Sequence, residues 1–180
     1  MKLETGQNAS IITYNGITPK IHPSAFLCEG VKIIGDVEIG ENSSVWYNTV
    51  IRGDVNYIRI GSGTNIQDMS MLHVNIKDRP LIIGNNVTIG HSVTLHGCTV
   101  HDKCLIGIGA ICLDGSVISS NSVVAAGALV RENFVVPEGV LVAGVPAKII
   151  KELSESELND LIEIAPRYAG YVDIYRNQLK

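Results

Sequence analysis

A chain of 180 residues with 46% hydrophobic content is long enough for about one domain with a continuous core. Its 18 acidic against 14 basic residues, a formal net charge of −4, provide no basic surface of the kind that neutralises phosphates, which argues against nucleic acid and anionic membranes as partners. No apolar run is long enough to span a bilayer, and Met1 to Ser10, with Lys2 and Glu4, lacks the apolar core of a secretory signal, so a cytoplasmic location is expected.

Taken in chain order, the first regularity is an aliphatic residue every six positions, at Ile33, Ile39, Val45 and Ile51. The period breaks near Tyr57 and resumes at Ile60, Ile66 and Leu72. Leu72 and Ile83 are successive repeat positions 11 residues apart, one hexapeptide plus five, and the extra residues fall in Asn75 to Pro80, whose Asn, Asp and Pro suit a protruding loop. From Val87 the period is read at Val93, Thr99, Leu105, Ile111, Val117, Val123 and Leu129, with turn-forming residues at Gly97, Gly109, Gly115, Asn121 and Gly127. A helix repeats every 3.6 residues and a half-buried strand every 2, so neither explains a period of six. Short strands joined by tight turns do, since glycine and asparagine tolerate the left-handed backbone of such turns and β-branched residues suit strands. One hexapeptide cannot bury its own apolar residue, so coils must stack on their neighbours.

Cys28, Cys98, Cys104 and Cys112 form no Cys-x-x-Cys pair and lie in apolar surroundings, which reads as buried reduced thiols. Past Ala143-Gly144-Val145-Pro146-Ala147-Lys148 the composition changes. Ser154 and Glu157 make a capping box, and Leu158, Leu161, Ile162, Ala165, Tyr168, Ala169, Val172, Tyr175 and Leu179 follow at helical spacing. Pro166 should kink or split that helix. The expected organisation is a solenoid over residues 1–150 and a helical segment over 151–180 packed on it.

Of the five histidines, His22, His73, His91, His96 and His101, three gain meaning from their phase. If the loop after Leu72 bulges outward, Leu72 and Leu95 are one full coil apart, so His73 and His96, each one residue further on, stack on one face. His91 lies two residues past Ile89, on a different face, and cannot easily meet them within one chain. A trimer would bring one subunit's His73 and His96 to His91 of its neighbour. Three imidazoles around one ion leave a fourth position for water, the pattern of a catalytic zinc site, although iron or cobalt would also suit the donors.

The Ile-Gly-x-x-x-x units over residues 20–150 resemble the hexapeptide-repeat family, which implies an all-β, left-handed parallel β-helix of triangular section. More specifically, Arg52-Gly53-Asp54, Asn65-Ile66-Gln67-Asp68, His73, Gly90-His91 and His96-Gly97 resemble the motif series of the γ-class carbonic anhydrases. That resemblance implies a homotrimer with metal sites shared between subunits, ligands His73, His91 and His96, and a hydroxide generated at the metal that attacks carbon dioxide to give bicarbonate. It places Gln67 beside the reacting oxygen, and Arg52, Asp54, Asp68 and Asn65 at the subunit contact around the ligands. Tyr168 is matched loosely to a tyrosine over the site. Two features depart from the family's founding enzyme: Val55 stands where it has a glutamate tied to proton transfer, and the loop of Val74 to Pro80 holds Asp78 as its sole acid, beside Lys77 and Arg79. Weak hydration is therefore expected. The rival readings are an acyltransferase or metal-dependent thioesterase acting on acyl-CoA, and a non-catalytic metal-binding assembly subunit.

Overall fold

A computed structural model describes residues 9–178. Residues 1–8, on which the reading of the amino terminus rests, and Leu179 of the helical pattern lie outside the described residues. The chain winds as a parallel β-solenoid with three walls. One wall, called here the helix wall, stacks Phe26–Leu27, Ser44–Val45, Asn65–Ile66, Thr88–Ile89, Leu105–Ile106, Val123–Val124 and Val140–Ala143. The next, the histidine wall, stacks the start of Val50–Ile60 with Met71–His73, Thr94–His96, Ile111–Cys112 and Leu129–Val130. The third wall stacks the end of Val50–Ile60 with Leu81–Ile83, Thr99–Val100, Val117–Ile118 and Val135–Val136.

Most strands are short because a turn follows them almost at once. Gly97, Gly109, Gly115, Asn121 and Gly127 all have left-handed backbones, with φ between 54° and 67°, as their spacing predicted. Inside, one apolar residue per strand stacks on its counterpart in the next coil: Ile51, Leu72, Leu95, Cys112 and Val130 form one fully buried column. Burying such a side chain is worth about 1.5–3 kcal/mol, so stability accumulates coil by coil.

The period is as expected, but its buried phase is not. Thr99, Leu105, Ile111, Val117, Val123 and Leu129 are only partly buried, whereas the next residue in each case, Val100, Ile106, Cys112, Ile118, Val124 and Val130, is fully buried. Leu95 and Val100 are successive core positions only five residues apart, because Gly97 and Cys98 turn the corner one residue short. Both residues of each two-residue strand are apolar from Leu105 on, so hydrophobicity alone could not show which one faces inward.

The corner between the histidine wall and the third wall varies from coil to coil. Lys32–Ile39 and Val50–Ile60 pass it as continuous bent strands, residues 74–80 pass it as the protruding loop, and Gly97–Cys98 as a tight turn. The opposite corner, between the helix wall and the histidine wall, keeps one length from Trp46 to Ala128.

After Val140–Ala143 the chain doubles back as an antiparallel strand, Lys148–Glu152, and helix begins at residue 155, directly after the expected Ser154 cap. Helix α1, Glu155–Ile162, is capped by Ser154 with the reciprocal Glu157 contact. The break falls at Glu163, and α2 spans Ile164–Gln178. Pro166 sits in the first turn of α2, where its missing N–H has no helical partner to lose. Helix α2 lies along the helix wall: Tyr168 and Tyr175 meet Trp46 edge-on at 5.7 and 5.2 Å, and Arg176 Nη2 donates to the Ser24 carbonyl at 2.8 Å. No helix among the described residues is long and apolar enough to cross a membrane.

All four cysteines are buried and unpaired. Burial pushes the thiols of Cys28, Cys98 and Cys104 up to about 12 and that of Cys112 well above its ordinary value, which leaves them un-nucleophilic.

Candidate metal centre

His73 and His96 end two adjacent strands of the histidine wall and are register partners. Their rings lie 5.0 Å apart, with His73 Nδ1 and His96 Nε2 separated by 3.1 Å. The other nitrogen of each ring meets a carboxylate. His73 Nε2 is 3.0 Å from Asp54 Oδ1, and His96 Nδ1 is 2.7 Å from Asp114 Oδ1. Arg52, the register partner of His73 one coil earlier, donates to Asp54.

The protonation pattern follows from these contacts. Burial alone would raise the Asp54 carboxyl, but hydrogen bonds from His73 and Arg52 outweigh it and hold Asp54 below the usual carboxylate value. At Asp114 burial is outweighed in the same way by Asn75 and His96. Both carboxylates are therefore ionised acceptors, so the N–H of each ring points at its aspartate: Nε2 of His73 and Nδ1 of His96. Burial also pushes His73 below the usual imidazole value and keeps it neutral near pH 7. The two nitrogens that face each other, His73 Nδ1 and His96 Nε2, are the ones turned away from the carboxylates, so an ion placed between them would meet both rings. Two imidazoles on one tetrahedral zinc stand roughly 3.3 Å apart, given Zn–N bonds of about 2.0–2.1 Å, so the observed spacing fits.

The other edge of the histidine wall holds the third imidazole. His91 Nδ1 lies 2.6 Å from Asp68 Oδ2, which again directs one ring nitrogen to a carboxylate and turns the other away from it. Asn65 and Gln67 lie one coil below. Gln67, 5% exposed, donates through Nε2 to Asn65 Oδ1 at 3.2 Å, and Asn65 Nδ2 donates to Thr88 Oγ1 at 2.9 Å. Tyr168 packs between Trp46 and Tyr171, and burial, followed by the charge of Asp68, raises its hydroxyl above the ordinary value.

The proposed residues thus form two groups at opposite edges of one wall: Arg52, Asp54, His73 and His96 at one, Asn65, Gln67, Asp68 and His91, with Tyr168 nearby, at the other. Among the described residues no three His, Cys, Asp or Glu side chains are grouped so as to hold a metal ion within one chain. The surface beside His91 is apolar and open, with Met69 62%, Met71 40% and Ile108 57% exposed. His22 instead meets the Ser24 hydroxyl at 2.8 Å.

Sequence reasoning missed Asp114. The repeat does not place it: Leu95 pairs with Cys112, 17 residues on, so the counterpart of His96 in the next coil is Leu113, and Asp114 reaches His96 from the turn one residue further.

Comparison with known proteins bears on these groups. A family model described as "Bacterial transferase hexapeptide (six repeats)" matches residues 18–53. The chain is 48% identical over 166 residues to "Carbonic anhydrase" of Geobacillus kaustophilus, covering 92% of this chain and 91% of that protein. It is 49% identical to "Gamma carbonic anhydrase 1, mitochondrial" of Arabidopsis thaliana over 84% of this chain, and spans only 57% of that relative's length. Among solved structures, a putative acetyltransferase of Bacillus cereus superposes with a TM-score of 0.92 at 42% identity, covering 96% of this chain and 99% of that one. A hexapeptide transferase family protein of Anaplasma phagocytophilum superposes with a TM-score of 0.89 at 40% identity, over 92% of this chain and 98% of that one.

Proposed function

Because the chain belongs to the γ-carbonic-anhydrase-like family of hexapeptide-repeat proteins, we propose that it is a metalloenzyme interconverting carbon dioxide and bicarbonate at a site completed only in a homotrimer. The observation that carries this reading is the pair of facing ring nitrogens on His73 and His96, 3.1 Å apart, with the other nitrogen of each ring backed by an aspartate. Three-fold closure would place the neighbour's His91 against that pair and cover the apolar surface at Met69, Met71 and Ile108.

His73, His96 and the neighbour's His91 would hold the ion, zinc being the first candidate and iron or cobalt the others. When bound, such an ion lowers the pKa of a coordinated water towards neutrality and so supplies a nucleophile for carbon dioxide. Asp54, Asp114 and Asp68 hold the three rings in the tautomers that leave donor nitrogens, and Arg52 holds Asp54. Gln67, fixed by Asn65, presents an amide at the edge where His91 stands and can orient substrate or product oxygens. Tyr168 lies behind that edge in the aromatic packing.

Turnover requires a proton acceptor, and Val55 and the exposed Asp78 supply no enclosed carboxylate for that task. Hydration is therefore expected to accelerate as imidazole buffer is raised.

The name of the Bacillus cereus structure, a putative acetyltransferase, motivates a second reading: acyl transfer from acyl-CoA with a histidine as general base, or thioester hydrolysis at the same metal. The test measures metal per chain and carbon dioxide hydration by stopped flow, with acetyl-CoA turnover in parallel. About one ion per chain with hydration supports the proposal. A protein that takes up no zinc, iron or cobalt refutes it, and a metallated protein active only on acetyl-CoA replaces it with the second reading.

A further inference from the structure

The residues that interrupt the repeat after His73 form a connected structure. Asn56, in the bent strand of the preceding coil, donates through Nδ2 to the carbonyls of Asn75 at 3.0 Å and Lys77 at 2.9 Å. The loop closes on itself where the Asn75 N–H donates to the Arg79 carbonyl at 3.0 Å. Asn75 Oδ1 accepts the N–H of Ile76 at 2.8 Å, which fixes the amide so that Nδ2 faces Asp114 Oδ2, also at 2.8 Å. The other oxygen of Asp114 takes the Nδ1–H of His96.

Two glycines leave room for this chain of contacts. Gly97 has φ +54°, and a Cβ there would lie 2.2 Å from Asp114 Oδ1. Gly115 has φ +67°, and a Cβ there would lie 2.0 Å from Arg79 Nη1. Any side chain at either position would push the carboxylate or the guanidinium out of place.

From this geometry we propose that the loop of residues 74–80 is a positioning latch for the metal site, in which Asn56 clamps the loop, Asn75 aims Asp114, and Asp114 holds His96 with its Nε2 lone pair towards His73. The inference rests on the metal reading above and adds a task for an insertion that otherwise only lengthens one coil. Asn56, Asn75 and Asp114 are positioning residues and touch no substrate. Without the latch the imidazole can rotate or exchange tautomers, and each such state removes one donor nitrogen from the ion.

The test uses the full chain. Zinc alone is titrated against a chromophoric chelator, and the ring-nitrogen chemical shifts of His96 are read in the metal-free protein labelled with nitrogen-15. The wild type is expected to show His96 as the single Nδ1–H tautomer. Asp114→Ala is expected to mix the tautomers and weaken zinc by about 10–100-fold. Asn75→Ala acts in the same direction several-fold, and Asp114→Asn, which still offers an acceptor oxygen, recovers most of the loss. Asn75→Ala also serves if Asp114→Ala does not fold. An unchanged His96 tautomer and zinc affinity within twofold of wild type in Asn75→Ala and Asp114→Ala would overturn the latch. If the wild type binds no zinc, the metal reading falls by itself, and the His96 shifts alone then decide the latch in the same two directions.

Discussion

The two corners that flank the histidine wall are built in opposite ways. At the corner carrying His91, Tyr47, Asp68, His91 and Ile108 occupy one place in successive coils, each two residues past a core residue of the helix wall. At the corner carrying His73 and His96, three successive coils differ: a bent strand, a loop, then a shortened turn. Repetition leaves a projecting histidine, its side chain 44% exposed with one carboxylate behind it. Departure from repetition encloses one, since the His73 side chain is 17% exposed between Asp54 and His96. A regular solenoid surface offers a donor, and an irregular one gathers polar groups behind a donor. Together they give a socket and a plug on one chain, which a rotation axis can join.

The largest expected effect tests that complementarity directly. On the proposed reading, His91→Ala and His96→Ala should each lose bound metal entirely, while refolding an equal mixture should recover about a quarter of the sites, because three-fold closure would pair each edge with the opposite edge of a neighbour. Metal analysis of the mixture decides it: no recovery would mean that each site is confined to one chain.

Ile108→Glu addresses the surface between the two edges. Charge on this exposed apolar corner should shift the proposed trimer to monomer in light scattering and release metal with it, although no proposed ligand is touched. An intact trimer would place the subunit contact elsewhere.

The core phase can be checked with neighbouring residues. Ile118→Ala should cost about 2–5 kcal/mol in denaturant unfolding. Val117→Ala, on the outward side of the same strand, should cost less than about 1 kcal/mol. Equal losses would contradict the assignment of the buried residue.

The smallest effect lies far from either corner. Glu157 has its carboxyl lowered to about 2, first by the hydrogen bond from Lys151 and then by those from Ser154. A depressed carboxyl contributes stability above its unfolded value of 4.5 and loses it as pH falls towards 2. Helical circular dichroism should therefore decline across that window, and Glu157→Gln should flatten the decline.

The sequence alone determined the repeat, the helix cap and the stacking of two histidines. Six-residue spacing converts distance along the chain into position on a wall, so the loop after Leu72 could be subtracted and His73 placed over His96, where the register has them. The same arithmetic kept His91 off that edge, and Ser154 with Glu157 marked the start of α1 by chemistry that is local in the chain. Only the tertiary structure decided which residue of each late strand is buried, because two adjacent apolar residues are equivalent until a corner of known length sets the phase. It also decided that Asp114, Asn75 and Asn56 converge behind His96. Those contacts span 18, 39 and 19 residues, and they form where stacked coils with corners of unequal length bring side chains together, a length set by turn packing and not by any local sequence preference.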